Sequence, residues 1–315
     1  MRRISLLGMT TLVVIGLAAA ASAHKPPGET RFVFQWPDGA IPQMDGDLSE
    51  WDIVPPQYEI TNPDLFQVHA FGKLGLDTPR GGVDAADMFI RHRIGWNDNT
   101  NRLYFATSVF DDEHDRNHTD NCMWDDDDWE VRVAPNIPQE EQNTGNTAGA
   151  IIDSPIFLIA VPPFEGAPIG ITGYLDYQPW QAAADFLAEG NTEIWEFGWD
   201  FEGEPLGEST YFYELSYRWI ESGPPGDVPN FDDLTLVDLQ EGDILHINIM
   251  NVDQDPVLAA AGLKDNGDSK YSGAWSISPG PDNWPEVDFV MAELENVDFM
   301  TAIEDKTWGA IKAGM

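Results

Sequence analysis

Carboxylates gather most densely between Phe110 and Val133. Asp111, Asp112, Glu113 and Asp115 follow one apolar run, and Asp125, Asp126, Asp127 and Asp128 stand between Trp124 and Trp129. Hard cations such as calcium take six to eight oxygen ligands at roughly 2.3–2.6 Å. Asp111, Asp112, Asp125 and Asp126 are the candidate metal ligands on that ground, weighed against the commoner state of an acidic run, a solvated face. Asp253-Gln254-Asp255 and Asp265-Asn266-Gly267-Asp268 are weaker candidates, because neither has the twelve-residue loop pattern with its closing Glu. In Trp129-Glu130-Val131-Arg132-Val133 the apolar residues share one face of a strand, which sends Asp128 and Glu130 to the other. A carboxylate carried on a sheet face, with Trp124 shortly before it, reads as a binding site.

The elements that position these groups are strands. Phe89–Trp96 and Leu103–Phe110 are rich in aromatic and β-branched residues, and Asn97-Asp98-Asn99-Thr100-Asn101 between them has turn composition. Leu103, Phe105, Thr107 and Val109 alternate with Tyr104, Ala106 and Ser108, the period of a strand. Further strands are expected at Phe32–Trp36, Ile151–Val161 (broken by Pro155), Glu193–Phe201, Tyr211–Trp219, Asp243–Val252, Trp275–Ser278 and Val287–Leu294. Asp45-Gly46 is a turn dipeptide, Thr61–Asp84 and Gln139–Ala150 read as loop, and Trp180–Leu187 has helical composition with Gly190 as a stop. Many strands and few helices predict an all-β chain, an antiparallel β-sandwich with short helical insertions. Trp51, Trp96 and Trp129 are expected in its core.

Arg2 and Arg3, the apolar run Leu6–Ala20 and Ala21-Ser22-Ala23 have the layout of a cleavable signal peptide over residues 1–23. The chain is therefore expected to act outside the cytoplasm: secreted, periplasmic or at the cell surface. Residues 24–40 read as a lead-in, 41–295 as one sandwich domain and 296–315 as a tail, in which Lys306–Lys312 is a candidate docking segment. Cys122 is the sole cysteine, so an internal disulfide is excluded and the core must carry stability. The net charge is −39, which repels nucleic acid and anionic membrane and leaves neutral ligands and cations as the fitting partners.

The ordered series Asp45-Gly46-x-Leu48-x-x-Trp51, Trp96-x-Asp98 with Leu103-Tyr104, and Trp124-x-x-Asp127-x-x-Glu130 resembles family 9 carbohydrate-binding modules. Tyr213-Glu214, Gly242-Asp243, Asn251-Val252-Asp253 and Val287-Asp288-Phe289 extend the likeness over residues 41–295. The resemblance implies a DOMON-like, jelly-roll sandwich that binds sugar without catalysis, with structural calcium and a cell-surface or enzyme partner. By position, Trp124 and Trp284 would stack on the sugar, Glu130 would accept its hydroxyls, and Asn283 and Asp127 would complete the ligand-binding set. The family's basic side chain from the next strand has no counterpart in Ile151–Val161.

Two other readings stay open. A haem-binding DOMON-like electron-transfer domain would ligate iron through Met and His, with Met88, Met123, Met250, His92 and His246 as candidates, although each more often fills a core. The absence of CxxCH excludes covalently attached haem c. A structural or assembly protein of the cell surface is the third reading. Catalysis is disfavoured, since GxSxG, HExxH and P-loop patterns are missing and, among 55 acidic residues, paired carboxylates are uninformative.

Overall fold

The computed structural model describes residues 29–68, 81, 83–114, 127–134, 155–160, 170–175, 193–204, 207–222, 235–253, 264–265, 269–270, 273–277 and 290–295. Its strands are β1 (Thr30–Gln35), β2 (Glu59–Thr61), β3 (Phe66–Val68), β4 (Met88–Asn97), β5 (Arg102–Asp111), β6 (Asp128–Ala134), β7 (Pro155–Ala160), β8 (Gly170–Leu175) and β9 (Trp195–Gly203). They continue with β10 (Ser209–Tyr217), β11 (Ile220–Ser222), β12 (Thr235–Leu236), β13 (Ile244–Asp253), β14 (Lys264–Asp265), β15 (Ser269–Lys270), β16 (Gly273–Ser276) and β17 (Val290–Leu294). Short 3₁₀ turns cover Asp38–Ala40, Leu48–Ile53, Pro56–Tyr58 and Asn62–Asp64.

Two sheets face each other. The first runs β8-β7-β6-β13-β17, with β16 also on β13 and β3 on β16; the second runs β4-β5-β10-β9, with β2 on β4. These pairings are antiparallel, as expected. β1 departs from them: Thr30–Val33 lie parallel to β17 and Phe34–Gln35 lie parallel to β4. One strand thus leaves the first sheet for the second and forms a corner of the sandwich. It sits inside the stretch that reads as a lead-in, so residues 30–35 of that stretch are strand in the sandwich. β11 pairs with β12 and β14 with β15 as separate small ribbons.

Alternation fills the interior. Ile90, Ile94 and Trp96 of β4, Leu103, Phe105 and Val109 of β5 and Tyr211, Tyr213 and Leu215 of β10 meet Trp129, Val131 and Val133 of β6 and Leu245, Ile247 and Ile249 of β13. Trp129 stacks on Tyr213 across the two sheets, centroids 5.5 Å apart and planes 13° off parallel. Such a pair contributes about 0.5–1.5 kcal/mol beyond the area it buries. Trp51, Trp96 and Trp129 are all buried, as their surroundings predict.

A third layer covers the outer face of the second sheet. Residues 36–58 pack Trp36, Trp51, Val54 and Tyr58 against Phe34, Tyr104 and Ala106. Trp36 and Trp51 meet edge to face at 4.9 Å. The segment is fastened by Glu214 on the outer face of β10. Its Oε2 accepts the Asp45 and Gly46 backbone N–H groups at 3.1 and 2.8 Å, and its Oε1 accepts Trp51 Nε1 at 2.8 Å. Gly46 has φ +89°, and a Cβ there would overlap the Trp199 backbone; a Cβ on Gly198 would overlap the Met44 backbone. Both glycines are required by this close passage. The residues Asp45, Gly46, Trp51 and Glu214 are therefore a fold clamp.

Thr61–Asp84 is not loop throughout: β2 ends at Thr61 and β3 occupies Phe66–Val68. Three residues cannot display a period. Pairing with β16 forms β3, and Phe66 packs against Met250 and Val252. Residues 1–28, Gln139–Ala150, Trp180–Leu187 and the tail 296–315 lie outside the described residues. Among the described residues no helix is long and apolar enough to cross a membrane.

Candidate functional site

Two groups of polar residues stand out, one open and one closed. The open one is a groove of about 430 Å³ on the outer face of the second sheet. Arg91 and Arg93 of β4, Phe212 of β10, and Asp200 and Glu202 of β9 line it, and Asp47 and Asp52 of the covering layer form its rim. Alternation puts these strand residues outside, since Ile90, Tyr211 and Tyr213 face the core. Arg93 is nearly buried and held by Glu59, with Nη2 at 2.8 Å and Nε at 2.9 Å from Oε1. Arg91 lies more loosely, 3.9 Å from Glu59 Oε2. Guanidinium donors, carboxylate acceptors and a phenyl ring share one shallow surface. That combination suits a neutral, polyhydroxylated ligand with an apolar face.

The closed group lies between the sheets at one end of the sandwich. Asp111 continues the core-facing series Phe105, Thr107 and Val109 along β5, His114 follows it, and Asp127 precedes Trp129 by the same alternation. All three side chains are buried. His114 Nδ1 is 3.3 Å from Asp127 Oδ2 and 3.9 Å from Asp111 Oδ2. Tyr211 lies with its ring centroid 4.2 Å from that of His114, and Ser209 Oγ donates to its hydroxyl at 3.0 Å. Burial works against an imidazolium here, but the carboxylates of Asp111 and Asp127 outweigh it and lift the His114 pKa to about 9. Burial, with the nearby carboxylates, also pushes the Tyr211 and Tyr213 phenols up.

The residues singled out in the sequence fall into three sets. Asp111 and Asp127 come together, joined by His114. Glu130 is buried on the face of β6 opposite Trp129 and Val131, so alternation separates it from Asp127. Asp112 is exposed, and its backbone N–H donates to Asp87 O at 3.1 Å. Trp124, Asp125, Asp126, Asn283 and Trp284 lie outside the described residues. The calcium that the resemblance implies fits the closed group poorly, because an imidazole nitrogen stands among its donors and calcium selects oxygen. Of the candidate iron ligands, Met88 and His92 face the core from β4, where His92 Nδ1 lies 2.7 Å from Thr107 Oγ1.

Sequence reasoning missed His114, although Asp111-x-x-His114 was visible within the acidic run. It also missed the groove, whose lining comes from separate strands and the covering layer and leaves no local pattern.

In backbone the chain is similar to a family 9 carbohydrate-binding module from Caldicellulosiruptor kristjanssonii in complex with cellotriose. The identity is 13%, covering 85% of this chain and 96% of that one, with a TM-score of 0.45. It is similar also to a family 9 module from the same organism in complex with glucose, at 11% identity, 86% and 98% coverage and a TM-score of 0.44. No family model matches the sequence. No curated protein matches it.

Proposed function

We infer that this chain is an exported, non-catalytic carbohydrate-binding protein of the family 9 module type. The observation that carries the reading is the groove formed by Arg91, Arg93, Asp200, Glu202 and Phe212. On a chain of net charge −39, this surface offers cationic donors beside anionic acceptors. A neutral sugar satisfies both: its hydroxyls donate to the carboxylates and accept from the guanidinium groups, and its C–H face packs on the ring. An anionic ligand would meet the four carboxylates of Asp47, Asp52, Asp200 and Glu202. The Trp124–Trp284 pair with Asn283 and Glu130 is the second place where a sugar would bind, on the strength of the sequence resemblance.

The test is calorimetric titration of residues 24–315 with glucose, cellotriose and a wider panel of mono- and oligosaccharides. Binding that weakens in Phe212→Ala assigns the groove. Binding lost in Trp124→Ala and kept in Phe212→Ala moves the site to the tryptophan pair. A folded protein that binds no member of the panel overturns the reading. Structural calcium belongs to the proposal through the oxygens of Asp112, Asp125 and Asp126. A melting temperature unmoved by calcium after chelation removes it.

A further inference from the structure

The closed group has the spacing of a metal site. Asp111, His114 and Asp127 each present one donor atom, and all three donors lie within 4.8 Å of one another. Neither ring nitrogen of His114 makes a hydrogen bond among the described residues, although the side chain is 1% exposed. A charge-assisted N–H···O contact would close to about 2.7–2.9 Å. The separations here are 3.3 and 3.9 Å instead. Two donors bound to one tetrahedral ion at about 2.0–2.1 Å stand roughly 3.3–3.4 Å apart. The 3.3 Å gap between His114 and Asp127 is that of neighbouring ligands on a common centre, with Asp111 slightly further off at 3.9 Å.

Volume and charge agree with this. The cavity bounded by Asp111, His114, Asp127 and Tyr211 measures about 10 Å³, close to the space of a single water-sized sphere. Asp128 lines it as well. A proton on His114 would bring one positive charge to these carboxylates. A dication beside neutral imidazole brings two and satisfies the nitrogen directly, which matters where buried charge is costly.

We propose that Asp111, His114 and Asp127 form a buried site for one nitrogen-accepting divalent cation of the zinc or manganese class. The ion ties the end of β5 to the start of β6 and so closes this end of the sandwich. Its donors are one imidazole and two carboxylates, a set that imidazole-tolerant metals take more readily than calcium does. The site is independent of sugar binding.

The experiment uses the full exported chain, stripped with chelator and titrated separately with Zn²⁺, Mn²⁺ and Ca²⁺ by calorimetry and thermal melting. The expected result is one Zn²⁺ or Mn²⁺ per chain at a site that raises the melting temperature. In His114→Ala the stoichiometry should fall by one and the stabilisation disappear, while Glu113→Gln, at an exposed neighbour, should keep both. Calcium should not compete at equimolar concentration. Substituting Co²⁺ reads the donor set in the wild-type protein, where a tetrahedral visible spectrum with a nitrogen donor is expected. That spectrum decides the matter even if His114→Ala does not fold. Zn²⁺ and Mn²⁺ binding that is absent in the folded wild type, or undiminished in His114→Ala, overturns the proposal. Calcium binding with higher affinity at the same site does so too, and a wild-type cobalt complex with oxygen donors alone would leave His114 as an imidazolium paired with carboxylates.

Discussion

Glu214 and Trp51, 163 residues apart in the chain, are joined by a 2.8 Å hydrogen bond from the indole Nε1 to the carboxylate Oε1. The bond lies beneath the layer that covers the second sheet, and the other carboxylate oxygen holds the backbone of Asp45 and Gly46. Trp51→Phe keeps most of the packing and removes the donor. The expected loss is about 1–3 kcal/mol, the cost of leaving a buried acceptor short of a partner. Glu214→Ala strands three donors and should cost more. Urea denaturation checks both, and a double-mutant cycle should show coupling between them. Additive losses would mean that the two residues act separately.

Gly46→Ala should destabilise the fold on two counts. Its φ of +89° is costly for any residue with a Cβ, and the added carbon would overlap the Trp199 backbone. Gly198→Ala tests the overlap from the other side, against Met44, without a positive φ. Both variants should lower the melting temperature, Gly46→Ala the more. An unchanged melting temperature in either would show that the covering layer can lift off the sheet without cost.

His92 should make the protein sensitive to acid. Burial holds its pKa down at about 3, against 6.5 in the unfolded chain. The unfolded state therefore takes up a proton that the folded state refuses between these values. Stability from this residue is complete above about pH 6.5 and falls as pH drops towards 3, by up to about 1.4 kcal/mol per pH unit. His92→Gln should flatten that slope, measured as denaturation midpoints from pH 4.5 to 7.5.

Glu214 should act in the opposite direction. Burial lifts its pKa from 4.5 to about 7, despite the hydrogen bonds it accepts. Across that window the folded state holds a proton the unfolded state has released, so its contribution grows as pH falls from 7 to 4.5. The pH dependence of wild type minus Glu214→Gln should thus slope against that of wild type minus His92→Gln. Slopes of the same sign would exclude the assignment.

Sugar bound in the groove should be insensitive to salt, because a neutral ligand has no long-range charge to screen. The affinity is expected to be equal at low salt and at about 0.5 M. Phe212→Ala should weaken binding about tenfold, equivalent to about 1.4 kcal/mol. A steep loss of affinity with added salt would identify a charged ligand.

Much of the architecture was legible from residue order. Aromatic and β-branched composition in 89–96 and period-two alternation in 103–110 marked β4 and β5, and alternation in 129–133 named the face that Trp129 buries, because strand geometry is local and the hydrophobic pattern must follow it. The same alternation separated Glu130 from Trp129. The parallel placement of β1 was beyond it, since pairing partners are chosen by distant strands. Tertiary structure also decided which carboxylates act together. Asp111 ends β5 and Asp127 immediately precedes β6, and their shared contact with His114 exists only because two sheets close over one end of the core. Arg91, Asp200 and Phe212 were ordinary surface residues in the sequence, and they became a groove when their strands lay side by side under the edge of the covering layer. Local pattern determines which face a side chain takes; only packing determines what it meets there.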